Sequence, residues 1–389
     1  MIERNLCRLE DVCDFQNGFA FKSTSFTKEG EPILRISDIQ GGEVDDSNVV
    51  YFNPSSYKED LSRFVVYPND IVIAMSGGTT GKVGVNTTGK SFYLNQRVGV
   101  FREKEMLNHS YLYYYLLTKS EESLRIAAGA AQPNLSTAQI KSFIIPIPHL
   151  DEQQRIVDTL DAEFAKIDAL KENAEKNLQN AKDLFQAVLR KELEPKEGWK
   201  KSTIAETCIL KSGNSNANNS PEGLLPFVKV GDMNIKGNEE RITCSTNYVS
   251  YECNKKNIFP IGTIIFPKRG GAILTNKKRI TSVEVCCDLN VMGVYSKGSI
   301  LSEYLFYYFL SVDLSKIYNG AAIPQINNGD IGPLTIYYPI NTIKQQEVVK
   351  RLSLHKSICN KMIDNYAKTV SHCNDLKQAL LRKAFNGEL

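Results

Sequence analysis

The sequence is poor in the residues that most metal and redox sites need. It has four histidines and one tryptophan, and the histidines form no HExxH pattern. Its nine cysteines contain no CxxC pair. The usual zinc and thioredoxin-like sites are therefore excluded by spacing. Cys286 and Cys287 are neighbours, poorly placed for a strain-free bridge with each other. The expectation is reduced thiols in a cytoplasmic protein. No apolar run approaches the roughly 18 to 20 residues that span a bilayer. The first residues, MIERNLCRLEDVCDF, lack the apolar centre of a secretory signal. Charge of one sign is lacking too. Lys plus Arg is 47 and Asp plus Glu is 44, a net charge of +3. That excludes a strongly basic, nucleic-acid-coating chain. What is present is globular: 389 residues, 42% hydrophobic and 23% charged, enough for two or three domains.

The chain repeats itself. Gly129-Ala-Ala-Gln-Pro-Asn-Leu returns as Gly320-Ala-Ala-Ile-Pro-Gln-Ile. Tyr111-Leu-Tyr-Tyr-Tyr-Leu-Leu returns as Tyr304-Leu-Phe-Tyr-Tyr-Phe-Leu, and Asp183-Leu-Phe-Gln-Ala-Val-Leu-Arg-Lys as Asp375-Leu-Lys-Gln-Ala-Leu-Leu-Arg-Lys. Weaker matches, Glu31-Pro-Ile-Leu-Arg with Leu225-Pro-Phe-Val-Lys and Leu94-Asn95 with Leu289-Asn290, keep the same order. Collinear matches at one offset make the two halves structural duplicates of roughly 190 residues each. The period is too long for a solenoid, so each copy should hold its own folded unit.

Texture changes once within each copy. Residues 1–150 and 199–341 are rich in Gly, Pro, Asn, Tyr and β-branched residues. Runs such as Asp70-Ile-Val-Ile-Ala-Met and Thr263-Ile-Ile-Phe read as strands between turns. Tyr111 to Leu117 is either a short aromatic helix or a buried strand, since periodicity does not separate the two. From Glu152 to Lys191, and from Gln345 to Lys383, there is no Pro or Gly. Each stretch predicts a helix roughly 58 Å long at 1.5 Å per residue. Heptad seams follow: Val157, Leu160, Phe164, Ile167, Lys171, Ala174, Leu178, Ala181, Phe185 and Val188 in the first; Val348, Leu352, His355, Cys359, Met362, Tyr366, Thr369, Cys373, Leu376 and Leu380 in the second. His355 and Cys359 are read as seam packing rather than metal ligands, because no further ligand has suitable spacing. The segment charges are −2 for 1–150, −4 for 151–198, +4 for 199–341 and +5 for 342–389. An acidic first helix and a basic second helix favour an intramolecular antiparallel pair.

Enzyme signatures fail. Ser76-Gly-Gly-Thr-Thr-Gly-Lys82-Val misses two of the four defining positions of a phosphate-binding P-loop. There is no GxSxG elbow, no GxGxxG after a strand, and no Asn/Asp-Pro-Pro-aromatic signature of an amino-methyltransferase. A Gly-rich loop after an apolar strand still suits a DNA backbone, through exposed N–H groups and through Ser76, Thr79, Thr80 and Lys82. The second copy has a related element at the same place, carrying Lys268, Arg269, Lys277, Lys278 and Arg279. Recurrence of the loop favours nucleic-acid contact over a solvated hairpin tip. Arg35 and Lys229 occupy matched positions, and each either reaches a groove or pairs with the nearby Asp38 or Asp232. Gln132 and Asn134, beside the matched Pro133 and Pro324, are either a structural turn or a partner contact.

In combination these features resemble the specificity subunit of a type I restriction–modification system, over essentially the whole chain. The resemblance rests on Leu9-Glu-Asp-Val with Asn17-Gly18, Pro32-Ile-Leu-Arg-Ile-Ser-Asp38-Ile, Asp70-Ile-Val-Ile with Ser76-Gly-Gly-Thr-Thr-Gly, Leu94-Asn-Gln, Gln132-Pro-Asn-Leu-Ser, and Ile145-Pro-Ile-Pro with Glu152-Gln153-Gln154-Arg-Ile. The second copy departs from it where Gly262-Thr replaces Asp70-Ile and Ile323 replaces Gln132. The resemblance implies a mixed α/β (α+β) fold. Two pseudo-repeated target recognition domains, 1–150 and 199–341, are separated by two long antiparallel coiled-coil helices, 151–198 and 342–389. It implies that each domain reads one half of a bipartite, asymmetric double-stranded DNA target. It implies that two methylase subunits dock on the helices, with Gln153, Gln154, Leu160, Ile167, Gln345, Gln346, Leu352 and Leu376 as contacts, and that restriction subunits complete the complex. It also implies no catalysis and no cofactor or metal in this chain; S-adenosylmethionine, ATP and Mg would belong to partner subunits. A 58 Å spacer is compatible with a target of one to two DNA turns, at about 3.4 Å per base pair. Two other readings stand beside this one: the recognition subunit of another methylase-dependent phage-defence complex, and an enzyme with an unrecognised active site.

Overall fold

The computed structural model describes residues 5–128, 134–215, 224–319 and 323–389. The chain divides into two compact units: residues 1–174 with 368–389, and residues 175–367. The first long helix, Leu150–Glu192, and the second, Thr342–Asn386, are each unbroken. Each contributes to both units, so the division in space cuts across the linear partition at 150, 198 and 341.

In the first unit a six-stranded sheet has the order Cys13–Asn17, Val98–Glu103, Ile71–Ala74, Val83–Val85, Glu43–Val44, Ile39–Gln40. The strand Ile71–Ala74 is buried along its whole length. Its alternation explains why: Ile71 and Ile73 pack on the helical layer, Val72 and Ala74 on a second, five-stranded sheet. A strand covered on both faces reads as a continuous apolar run rather than an alternating one.

Tyr111 to Leu117 lies within a helix, His109–Thr118, started by Asn108, whose side chain accepts the Tyr111 N–H at 3.0 Å. Tyr111 and Tyr115, one turn apart, donate their hydroxyls to the carbonyls of Pro146 and Ile144 at 2.9 and 2.8 Å. The helix is thereby pinned to the strand Ile144–Ile147. Phe385 of the second long helix packs on both tyrosines, with ring centroids 4.9 and 5.6 Å apart. Leu381 and Ala384 complete this core with Ile156, Val157 and Leu160.

The second unit repeats the plan. Its five-stranded sheet runs Cys208–Ser212, Val291–Ser296, Ile264–Pro267, Arg279–Thr281, Arg241–Ile242. The matched aromatic helix, Ser302–Ser311, sends the Tyr304 and Tyr308 hydroxyls to the carbonyls of Tyr337 and Thr335 at 2.7 and 2.9 Å. Leu189, Val348 and Leu352 of the long helices close its core.

Within the first unit the two long helices run antiparallel. Arg155 donates to the Leu389 carbonyl at 3.1 Å, Lys377 to Asp168 at 2.5 Å and Lys171 to Asn374 at 3.1 Å, so one number rises as the other falls. The acidic-to-basic complementarity appears in Asp168 with Lys377, and in the second unit in Glu192 with Arg351 at 3.0 Å. These exposed pairs set direction and register more than stability. The first seam is buried or half-buried throughout. The second departs at His355, which is exposed, and at Leu376, which is 49% exposed. There the buried positions are Leu381 and Ala384 instead. A 3.6-residue turn drifts by about 20° per heptad against a strict seven-residue pattern.

No helix among the described residues is long and apolar enough to cross a membrane. Eight of the cysteines are free thiols. Burial pushes Cys13 up to about 12 and Cys208 up to about 11, which leaves them unreactive.

Candidate nucleic-acid interface

The Gly-rich loop and the Pro-containing turn meet in both units. In the first, the strand Ile71–Ala74 ends in a tight turn over Gly77–Thr79, closed by Gly81 N–H to Ala74 carbonyl at 2.8 Å. Gly77 and Gly81 take φ of 71° and 82°, the left-handed region that glycine adopts without strain. Ser76 bridges to Asn134, and Leu135 N–H donates to the Met75 carbonyl at 2.8 Å. Met75 N–H in turn donates to the Arg97 carbonyl at 2.9 Å. In the second unit Ile326 N–H donates to the Lys268 carbonyl at 2.8 Å, and Lys268 N–H to the Asn290 carbonyl at 2.8 Å. The two copies thus hold one backbone scaffold. Gln132 and Pro133 lie outside the described residues.

A further loop joins this cluster. Gly18 and Gly213 are matched: their N–H groups donate to the carbonyls of Val98 and Val291, both at 2.9 Å. A Cβ at either would lie 2.1 Å from a backbone oxygen, of Asn95 or Asp288 respectively. Only glycine lets these strands approach so closely. The same bonds fix which residues of the two copies correspond. Gly18–Val98 matches Gly213–Val291, so Asn95 matches Asp288 and Arg97 matches Asn290. The pairing of Leu94-Asn95 with Leu289-Asn290 is two residues out of step.

The candidate DNA contacts separate into outward and inward groups. Lys82, Lys229 and Arg269 are exposed, with no hydrogen bond or ion pair of their charged groups among the described residues. Ser76 and Thr79 are half-buried at the rim of the turn. Lys277 is half-buried, its ammonium on the Asn234 carboxamide. Thr80 faces inward: it is 1% exposed, and its hydroxyl caps the turn by donating to the Gly77 carbonyl at 2.7 Å. It is a structural residue of the turn. Lys278 also faces inward: it is 3% exposed and holds the Asn276 carboxamide and the Val312 carbonyl at 2.6 and 2.5 Å. Desolvation pulls its ammonium down to about 8. Arg279 is spent on the carbonyls of Lys278 and Met233 at 2.9 and 3.0 Å. Lys268 donates to Ser212 at 2.9 Å. The five cations from Lys268 to Arg279 are not one exposed patch; four of them bond to groups of their own unit, and Arg269 alone of the five has no such bond among the described residues.

Arg35 and Lys229 resolve differently although they match. The Arg35 guanidinium holds the buried Asp38 at 3.3 Å and the Asn48 carbonyl at 2.7 Å. In the second unit Asp232 is satisfied by the Lys229 N–H, Ser245 and Thr246, which leaves the Lys229 ammonium outside. Arg97 is not singled out by any sequence pattern. It is exposed, and no partner of its guanidinium is found among the described residues. A two-residue shift between the copies would have placed it on the loop cluster.

The helix residues divide in the same way. Gln153 is fully buried. It accepts the Asn108 N–H at 2.8 Å and donates to the carbonyls of Met106 and Pro148, both at 2.9 Å. Gln345 repeats this with the Leu301 N–H at 2.8 Å and the carbonyls of Ser299 and Pro339 at 3.1 and 2.8 Å. These two act as internal struts, and Leu160, Ile167 and Leu352 are buried with them. Gln154, Gln346 and Leu376 are exposed. Among the described residues no group of three or more His, Cys, Asp or Glu could hold a metal ion.

Known proteins share this plan. The family described as type I restriction modification DNA specificity domain matches residues 2–180 and 196–368. The type I restriction enzyme StySPI specificity subunit of Salmonella potsdam is 27% identical over 397 residues, covering 92% of this chain and 82% of its own. The EcoKI specificity subunit of Escherichia coli strain K12 is 24% identical over 396 residues, with the same coverage of each chain. A solved chain from work on complex assembly and conformational transition of the type I R-M system gives a TM-score of 0.81 at 17% identity, covering all of both chains. The HsdS subunit from Thermoanaerobacter tengcongensis gives 0.55 at 18% identity, covering 99% of this chain and 97% of that one. These two likenesses concern the fold.

Proposed function

The chain belongs to the type I restriction modification DNA specificity family, and from that premise we propose that it is the sequence-reading, non-catalytic subunit of a type I restriction–modification complex. Each unit supplies one reader, so the target is bipartite. The loops of the two readers differ in sequence, so it is asymmetric. The observation that carries this reading is the repeated scaffold: one set of loops, held by the same backbone hydrogen bonds in both units, presents different side chains. A duplicated catalytic site would keep its reacting groups; a duplicated reader changes them.

The rest of the complex supplies the chemistry. Two methylase subunits dock on the exposed faces of the long helices, and restriction subunits join them on DNA in the cytoplasm. S-adenosylmethionine, ATP and Mg are bound by those partners. A net charge of +3 leaves this subunit a weak DNA binder by itself. Most of the salt-dependent affinity then comes from partners that close around the duplex.

Cations that face outward should act on one half-site only. In the complex with methylase, the variant Lys229→Ala/Arg269→Ala is expected to bind less tightly through the second half-site. Its salt slope should fall by up to about two, roughly one unit for each phosphate that no longer meets a cation. Titration of duplex DNA at several salt concentrations measures this. Unchanged affinity and slope would remove these residues from the interface.

A further inference from the structure

We propose that Arg97 reads a guanine in the half-site bound by the first unit, and that its matched position, Asn290, makes one of the differences between the two half-sites. The proposal rests on the DNA-reading function above.

The main chain at this position is the same in both units. Val98 N–H turns back to the Asn95 carbonyl at 2.9 Å, and Val291 N–H to that of Asp288 at 2.9 Å. Arg97 and Asn290 each stand just before the closing residue of that turn. Each offers its carbonyl to the residue that opens the loop after the central strand, Met75 or Lys268. The bonds that place the backbone are therefore kept, while the side chain is free to differ.

It differs in a way that favours a base over a phosphate. Phosphates lie along both half-sites, so a phosphate contact at this place would call for a cation in both units. The second unit instead has a half-buried carboxamide, whose Nδ2 donates to Asp288 at 2.7 Å. The first has an exposed guanidinium, and no carboxylate among the described residues pairs with it. The main chain of Arg97 is bonded to Met75, the residue before Ser76, which bridges to Asn134 and precedes the Gly77–Thr79 turn. A planar fork of donors matches O6 and N7 of guanine in the major groove, a pattern that no other base presents.

The test is a methylation map made by the complete methylase complex carrying wild type, Arg97→Ala or Arg97→Gln. The side chain is exposed and bonds to no other described residue, so neither change disturbs packing. Arg97→Ala should relax one guanine position in one half-site, cutting discrimination there by about tenfold or more, with the other half-site and the spacing unchanged. Arg97→Gln should admit adenine at that position. An unchanged motif would overturn the proposal. So would a uniform fall in methylation with the motif intact, which marks a phosphate contact. Loss of all sequence dependence in the wild-type complex would instead sink the DNA-reading function itself, whatever residue 97 does.

Discussion

Replacing Gln345 by leucine is expected to lower the stability of the second unit by about 4 kcal/mol. The side chain is fully buried and joins three backbone groups to the first turn of the long helix. Leucine has nearly the same volume, so little cavity forms. What disappears is pairing: the Pro339 carbonyl is left buried without a partner, at about 1–3 kcal/mol before relaxation, and the half-buried bonds to the Leu301 N–H and the Ser299 carbonyl, worth about 1 kcal/mol each, are lost with it. Gln153→Leu should have the same effect on the first unit, since its three bonds are the same. Hydrogen exchange at the Leu301 and Asn108 amides reads each unit separately. A cost under about 1 kcal/mol for both would show that water or a neighbouring group replaces the strut.

The second large effect is expected from Gly18→Ala and Gly213→Ala. Here the obstacle is a methyl group placed 2.1 Å from a backbone carbonyl oxygen. A side chain can swing away, but this oxygen belongs to a chain held at Asn95 or Asp288 by its own turn. The strand ends must separate, which costs about 3 kcal/mol on the scale of overpacked cores. Separation moves Arg97 or Asn290, which follow within the same turn. Each variant should therefore lose its own half-site and keep the other, as judged by binding of duplexes that carry one half-site. Loss of both half-sites by either variant would mean that the readers do not act separately.

Much of this architecture is legible in the sequence, because duplication supplies an internal control. Two long stretches without Pro or Gly carry heptads that predict helices, and those heptads name the buried face correctly except at His355 and at Leu376, beyond which Leu381 and Ala384 are the buried positions. The opposite charges of the two helices predict that they pair with each other. The aromatic segment stays ambiguous because it is apolar on nearly every side; its tyrosine hydroxyls, paired with carbonyls of the neighbouring edge strand, become meaningful only in three dimensions.

The candidate interface is less legible, and the reasons are physical. A lysine or arginine in a hairpin is ordinarily solvated, so nothing in the run from Lys268 to Arg279 announces that Lys278 and Arg279 brace the loop beneath. Thr80 has the same composition cue as Thr79 but points the other way. Gln153 and Gln345 look like surface residues at a helix start, yet their carboxamides end up satisfying backbone groups in a neighbouring bend. Arg97 is hidden by a two-residue shift between the copies, which the hydrogen bonds of Gly18 and Gly213, and of Met75 and Lys268, correct.

The central claim is that one chain reads two half-sites and thereby directs a methylase. A methylation map of the host genome, made with and without the gene for this chain, tests it most directly. The prediction is a single bipartite motif, two unlike half-sites at one fixed spacing, that is methylated only when the gene is present. A motif that persists without the gene, or one that is uninterrupted, would contradict the account.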